Sequence, residues 1–277
     1  MNVSLNFGKG RKIAWDWSHP LAVTECRLPK VEAVADPAAE AQAAVATPLD
    51  FPQLHDSIVP GDHVVIAVEP GVPQTPAVVA GIVRALRSAG VEASDITVLA
   101  ACAPGEFPPE PTAEEGLAAN QTASWLLSGL KAAERERIQA VWHQPAAEGI
   151  VSYLAATDDA DPVYLHRRLC DADLVIPVGV QRVENALGYL GIAGTLFPTF
   201  SDESTRTRMR AADVRQWRKQ RNDWRAEASQ AQWLLGVQFA VRVVPGPGDS
   251  VAAVLAGQLE SVERAAGKRC RAAWRAE

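Results

Sequence analysis

Two runs of consecutive apolar, largely β-branched residues, 64–68 (VVIAV) and 96–101 (ITVLAA), flank one helical pattern, and together they leave few folds open. A strand without polar alternation is covered on both faces, as in a parallel sheet held between helix layers. Pro60, Gly61 and Asp62 supply a turn into the first run. From Pro76 the apolar residues Val79, Ile82, Val83 and Leu86 recur at helical spacing, and Gly90 is placed to end the helix. Strand, helix and strand in this order predict a right-handed parallel crossover.

The alternation continues. Short β-rich segments open the chain at 3–7 and 13–17, and an Ala/Pro/Glu stretch at 31–52 reads as a surface helix or loose arm. A helical region over 113–137 leads to a strand at 138–143, and a helical or turn segment at 164–170 leads to one at 173–178. One long helix is expected over 202–234, then strands at 238–244 and 251–255 and a closing helix. These elements predict an α/β fold, a three-layer sandwich with a mostly parallel, Rossmann-like sheet. Three parts are expected: 1–54, β segments and arm; 55–235, the main α/β domain; and 236–277, a strand–helix appendage.

Composition narrows the function. Hydrophobic residues make up 48% and charged residues 22%, with a mean hydropathy of -0.05. No run approaches the roughly 20 apolar residues that cross a bilayer, and the first residues lack a secretory signal, so no membrane role and a cytoplasmic location are expected. The formal net charge of -6 disfavours nucleic acid. Cys26, Cys102, Cys170 and Cys270 form no CxxC pair, which argues against a disulfide framework or zinc knuckle.

In an open parallel sheet the ligand crevice lies beyond the carboxyl ends of the strands. The loops there read EPGVPQTP from Glu69, CAPGE from Cys102, HQP from His143 and GVQRVEN from Gly179. With the neighbouring segment DPVYLHRRLCDADLVIPVGVQRVENALGYLGIAGTLFP, their order resembles the N-terminal domain of the nickel-dependent lactate racemase family over residues 55–215. A fainter echo through 236–267 marks where such proteins begin a second domain, so the resemblance makes 236–277 a remnant of it.

That family interconverts 2-hydroxy acids through a nickel pincer cofactor tethered to a lysine, with histidines as metal ligand and acid/base pair. The resemblance places the family's first-loop aspartate and arginine at Pro70 and Pro73, and its second-loop histidine at Gly105. A further histidine falls at Glu184, the tethering lysine at Gly194 and the metal-ligating histidine near Arg210. No lysine lies between Lys131 and Lys219, so a small slip in alignment cannot restore the tether. Imidazoles titrate near neutrality, and losing one general acid or base typically costs about 10²–10⁴-fold. A member without racemase activity is therefore expected, with no cofactor and no metal site.

His143 and Glu184 are the catalytic candidates of an alternative reading, an altered enzyme acting on a 2-hydroxy or keto acid with Arg182 as anion clamp. A structural hydrogen bond is the favoured role for His143, and a mutual ion pair for Arg182 and Glu184. Candidate ligand-binding residues are Thr75, Gln181, Arg182, Gly188 and Gly191, the glycines permitting a tight loop-to-helix approach. The arginines at 206, 208 and 210 read as a solvated helix face. Trp217, Trp224 and Trp233 read as packing against the sheet, and Cys102 as an inert thiol. The expected partners are a small carboxylate ligand, or a homo- or hetero-oligomer with a family member.

Overall fold

The computed structural model of the protein describes residues 2–7, 11–16, 31–102, 123–157, 161–184, 186, 188–210 and 217–274. In chain order the elements are β1 (Asn2–Phe7), β2 (Arg11–Asp16), α1 (Pro37–Ala46), α2 (Leu54–Ser57), β3 (Val64–Val68), α3 (Thr75–Ser88), β4 (Ile96–Ala100), α4 (Ala132–Arg135) and β5 (Gln139–Trp142). There follow β6 (Val151–Ala156), β7 (Pro162–His166), α5 (Arg167–Cys170), β8 (Leu174–Val180), α6 (Ile192–Leu196), α7 (Glu203–Arg210), α8 (Trp217–Leu234), β9 (Phe239–Pro245), β10 (Val251–Gln258) and α9 (Leu259–Ala273).

Among the described residues, six strands form the central sheet in the order β10-β9-β8-β3-β4-β5, parallel except for β10 against β9. β3 lies between β8 and β4, with Val64 opposite both Leu174 and Ile96. The chain leaves β3 towards β4 and β5 on one side and later fills β8, β9 and β10 on the other. Their carboxyl ends therefore diverge between β3 and β8, the point where an open sheet leaves a crevice.

Both faces are covered. Ile66, Val98, Ile176 and Val241 pack beneath α1 and α3, while Val65, Leu99, Val141 and Val175 pack beneath α6, α7, α8 and the β6–β7 hairpin. Burial of each such side chain contributes about 1.5–3 kcal/mol, which accounts for the unbroken apolar runs. The helical face read from the sequence is correct: Val79, Ile82, Val83 and Leu86 are all fully buried in α3. Gly90, at φ +99°, closes α3 with two bonds, Val91 N to Leu86 O (3.1 Å) and Gly90 N to Arg87 O (3.2 Å).

Several expected boundaries shift. Residues 164–166 are strand, and only Arg167–Cys170 is helical, because Tyr164 and its neighbours pair with β6, a strand absent from the sequence reading. Of the helix expected over 202–234, Glu203–Arg210 and Trp217–Leu234 are helical, as α7 and α8, and 211–216 lie outside the described residues. Trp224 is buried, but Trp233 is 76% exposed, so packing against the sheet does not explain it. The segment expected as an appendage supplies two strands of the main sheet, β9 and β10. The 31–52 arm is also built in: Asp36 caps α1 through Ala38 N (2.9 Å) and Ala39 N (3.1 Å), and Leu49 bridges Gly257 of β10. Of the helix expected over 113–137, 113–122 lie outside the described residues, and the rest forms a 3₁₀ turn at Ser124–Leu127 and the short α4.

The crossing of α1 over α3 depends on Gly81, where a Cβ would lie 2.2 Å from Ala38 O and 2.7 Å from Ala41 Cβ. Gly81→Ala is expected to destabilise the protein by about 1–3 kcal/mol despite its better helix propensity. Urea denaturation measures this; an unchanged midpoint would contradict the packing described.

Candidate functional site

The crevice between β3 and β8 is closed at its base by a buried ionic network. Glu69 follows β3 and reaches across to β8, its Oε1 accepting from Val180 N at 2.5 Å. Its Oε2 accepts from the Thr195 hydroxyl on α6 at 2.9 Å. Arg242 of β9 is fully buried; Nη1 donates to Thr195 Oγ1 (3.0 Å) and Nη2 to the Tyr189 hydroxyl (3.2 Å). Carboxylate oxygens of Glu69 and Glu263 lie 4.0 and 3.7 Å from its guanidinium. Glu263, on α9, accepts in turn from Tyr189 OH (2.9 Å) and Ile192 N (3.1 Å). Burial, opposed by Arg242, raises the pKa of the Tyr189 phenol, so this hydroxyl stays protonated and donates. Gly179 is required here, since a Cβ would lie 2.0 Å from Arg242 Nη1.

Two cavities open from this network. The larger, about 490 Å³, lies between the loop after β8 and helices α8 and α9. Four guanidinium groups line it: Arg182 from the loop, Arg225 from α8, and Arg264 and Arg271 from α9. None forms an ion pair with a carboxylate among the described residues. Arg225 donates to Glu184 O (3.4 Å), while its Nε is buried without a partner. Arg264 donates to Ser261 Oγ (3.2 Å). Glu184, Glu260 and Glu263 share the wall. Gln181, 3% exposed, donates Nε2 to Arg182 O (3.0 Å) and leaves Oε1 buried without a partner. The second cavity, about 480 Å³, lies beyond β3 and β4 and is lined by Glu69, Thr75, Cys102, Trp125 and Trp142.

Four predicted residues, Gln181, Arg182, Glu184 and Gly191, thus meet in the first cavity. Thr75 lines the second, its hydroxyl donating to Val72 O (2.6 Å), and Gly188 lines neither. Arg182 and Glu184 are exposed and do not pair. His143 and Glu184 are not brought together either. They follow β5 and β8, three strand spacings or about 14 Å apart in the sheet, and His143 is 3% exposed and lines neither cavity.

His143 instead pairs with His166, their rings 5.4 Å apart. His143 Nε2 donates to Ser201 O (2.9 Å), whereas His166 Nδ1 accepts from Arg168 N (3.2 Å). These bonds fix opposite tautomers, leaving an acceptor at His143 Nδ1 and a donor at His166 Nε2, both buried and unpartnered. Burial, and then the neighbouring His166, lower the His143 pKa to about 3; burial, and then Arg168, lower that of His166 to about 4. Both rings are neutral at pH 7. Arg206, expected on a solvated face, is buried and donates to Cys102 O (3.4 Å), whereas Arg208 pairs with Glu227.

Sequence reasoning missed Arg242, Tyr189, Thr195, Glu263, Arg225, Arg264 and Arg271. One signal was available: an arginine inside the apolar strand QFAVRVV must find carboxylates. Gly105, where the resemblance puts a family histidine, and Asn185 lie outside the described residues.

The model of the lactate racemase N-terminal domain matches residues 10–220. The chain belongs to that family. In fold it is similar to the lactate racemase apoprotein from Thermoanaerobacterium thermosaccharolyticum, with a TM-score of 0.62 and 15% sequence identity over 97% of this chain. The match covers 61% of the racemase chain, so this protein spans less than two thirds of that length. No curated protein sequence matches it. No helix among the described residues is long and apolar enough to cross a membrane.

Two consequences are measurable. The folded-state pKa values of His143 and His166 lie below the unfolded value of about 6.5, so the unfolded state binds more protons and stability falls as pH drops from 6.5 towards 4. His166→Asn keeps an acceptor for Arg168 N and should flatten this slope in urea titrations at pH 7.5, 6 and 5; an unaltered slope would contradict it. Arg242→Met strands Glu69 and Glu263 and should cost about 3–5 kcal/mol. Adding Glu69→Gln should recover part of that loss; equal stability of the Arg242→Met and native proteins would show the network is idle.

Proposed function

We infer that this member of the lactate racemase N-terminal domain family is a binding protein for a small carboxylate, held in the larger cavity, and does not racemise 2-hydroxy acids by the family mechanism. The observation that carries the reading is the convergence of four guanidinium groups, from three elements, without a carboxylate partner among the described residues. Guanidinium forks match carboxylate oxygens in pairs, and a concave, partly apolar wall strengthens such contacts.

The loss of racemisation is supported by position 194. The resemblance puts the cofactor-tethering lysine there, but this chain has glycine in α6, and any Cβ would meet Leu190 Cβ at 2.8 Å. A side chain at 194 therefore needs room that α6 does not leave. The neighbouring Thr195 is committed to Glu69 and Arg242. No imidazole among the described residues lines either cavity. The residues present do not fit a lysine-tethered metallocofactor, and no step is routed through one. An altered enzyme built on His143 and Glu184 is disfavoured by their separation. Pairing with a homologous partner has less support, because the exposed apolar side chains, among them Leu49, Val59, Trp125, Tyr153, Tyr164, Val183 and Trp233, come from separate parts of the chain.

Calorimetric titration with 4-methylpentanoate is expected to show binding that the double substitution Arg182→Gln and Arg271→Gln weakens at least tenfold, while a chiral assay detects no lactate racemisation. Turnover with stoichiometric nickel, or binding indifferent to both arginines, would defeat the proposal.

A further inference from the structure

We propose that the ligand of the larger cavity is a zwitterionic 2-amino acid with an apolar side chain, its α-carbon lying over Gly267; this rests on the reading of that cavity as a carboxylate site.

Gly267 sits inside α9, six residues from its last residue, where glycine costs about 0.5–1 kcal/mol relative to alanine. The fold gives no reason for it. A Cβ there would find nothing nearer than Arg271 Nη1 at 3.6 Å and Gln181 Nε2 at 3.9 Å, ordinary contact distances. This contrasts with Gly81 and Gly179, whose missing side chains make room for other protein atoms. At Gly267 the open space is the cavity itself.

The two groups bordering that space have complementary needs. Arg271 has no ion-pair partner among the described residues and offers donors to a carboxylate. Gln181 borders the space with Nε2, which donates to Arg182 O, and the Oε1 of the same amide is buried without a partner, so a donor that reaches it meets a free acceptor. A carboxylate and a donor on adjacent groups of one carbon satisfy both. Ammonium suits the wall better than hydroxyl because carboxylates stand among its guanidinium groups: Glu184 and Glu260 form no ion pair among the described residues, and Glu263, 35% exposed, adds a third carboxylate. A lining with both signs of charge suits a ligand with both. Leu190, Ile192 and Leu259 supply an apolar wall, and about 490 Å³ exceeds what a three-carbon acid fills.

The test compares three ligands of one carbon skeleton by calorimetry: 4-methylpentanoate, 2-hydroxy-4-methylpentanoate and leucine, with phenyllactate and phenylalanine as a second pair. The amino acid of at least one pair is expected to bind at least tenfold tighter than its hydroxy acid. Glu184→Gln should reduce that preference, read as the ratio of amino-acid to hydroxy-acid affinity. Gly267→Ala should raise the melting temperature and yet lower amino-acid affinity at least tenfold. Equal or tighter binding of both hydroxy acids, or undiminished affinity in Gly267→Ala, overturns the inference while leaving the carboxylate site standing. Failure of every compound to bind, 4-methylpentanoate included, overturns both.

Discussion

A single buried guanidinium holds the functional end of this molecule together. Arg242 lies on β9 with no solvent contact, so its charge is tolerable only because Glu69, Glu263, Thr195 and Tyr189 surround it. Those partners come from the end of β3, from α9, from α6 and from the loop before α6. The network therefore fixes the relative positions of the elements that line both cavities. Its desolvation cost is offset by geometry that leaves each carboxylate oxygen with a donor.

This network also bears on the proposal that this lactate racemase scaffold works without a cofactor tether. In α6 the glycine at 194 and the threonine at 195 turn the helix into a brace: Gly194 lies against Leu190, and Thr195 bonds both Glu69 and Arg242. The same segment stands where the resemblance expects a reactive amine. Family membership fixes the scaffold, and the site must be judged from its own side chains. Here these are guanidinium, carboxylate and amide groups, which is the basis of the proposed recognition of a charged small molecule.

Much of the fold was legible because burial writes itself into sequence. VVIAV and ITVLAA have no polar face, and the spacing of Val79, Ile82, Val83 and Leu86 matches one helical stripe, so the central crossover follows directly. The β6–β7 hairpin was not legible: β6 is half-buried without period-two alternation, and β7, which does alternate, with Val163 and Leu165 buried and Tyr164 exposed, is only five residues long. The place of β9 and β10 in the main sheet depends on pairing across long sequence separation, which no local pattern records. At the site, the loop after β8 was found from the rule that ligands gather at carboxyl ends of strands. The opposite wall was missed because α9 contributes Glu263, Gly267 and Arg271 at helical spacing, a pattern any solvated helix face also shows.

The most direct test of the account is the intact mass and metal content of the protein purified from a host that makes the family's nickel cofactor. The polypeptide mass alone, with nickel well below stoichiometric, is the predicted result. A covalent pyridinium adduct on any side chain, accompanied by one bound nickel, would contradict the account at its root.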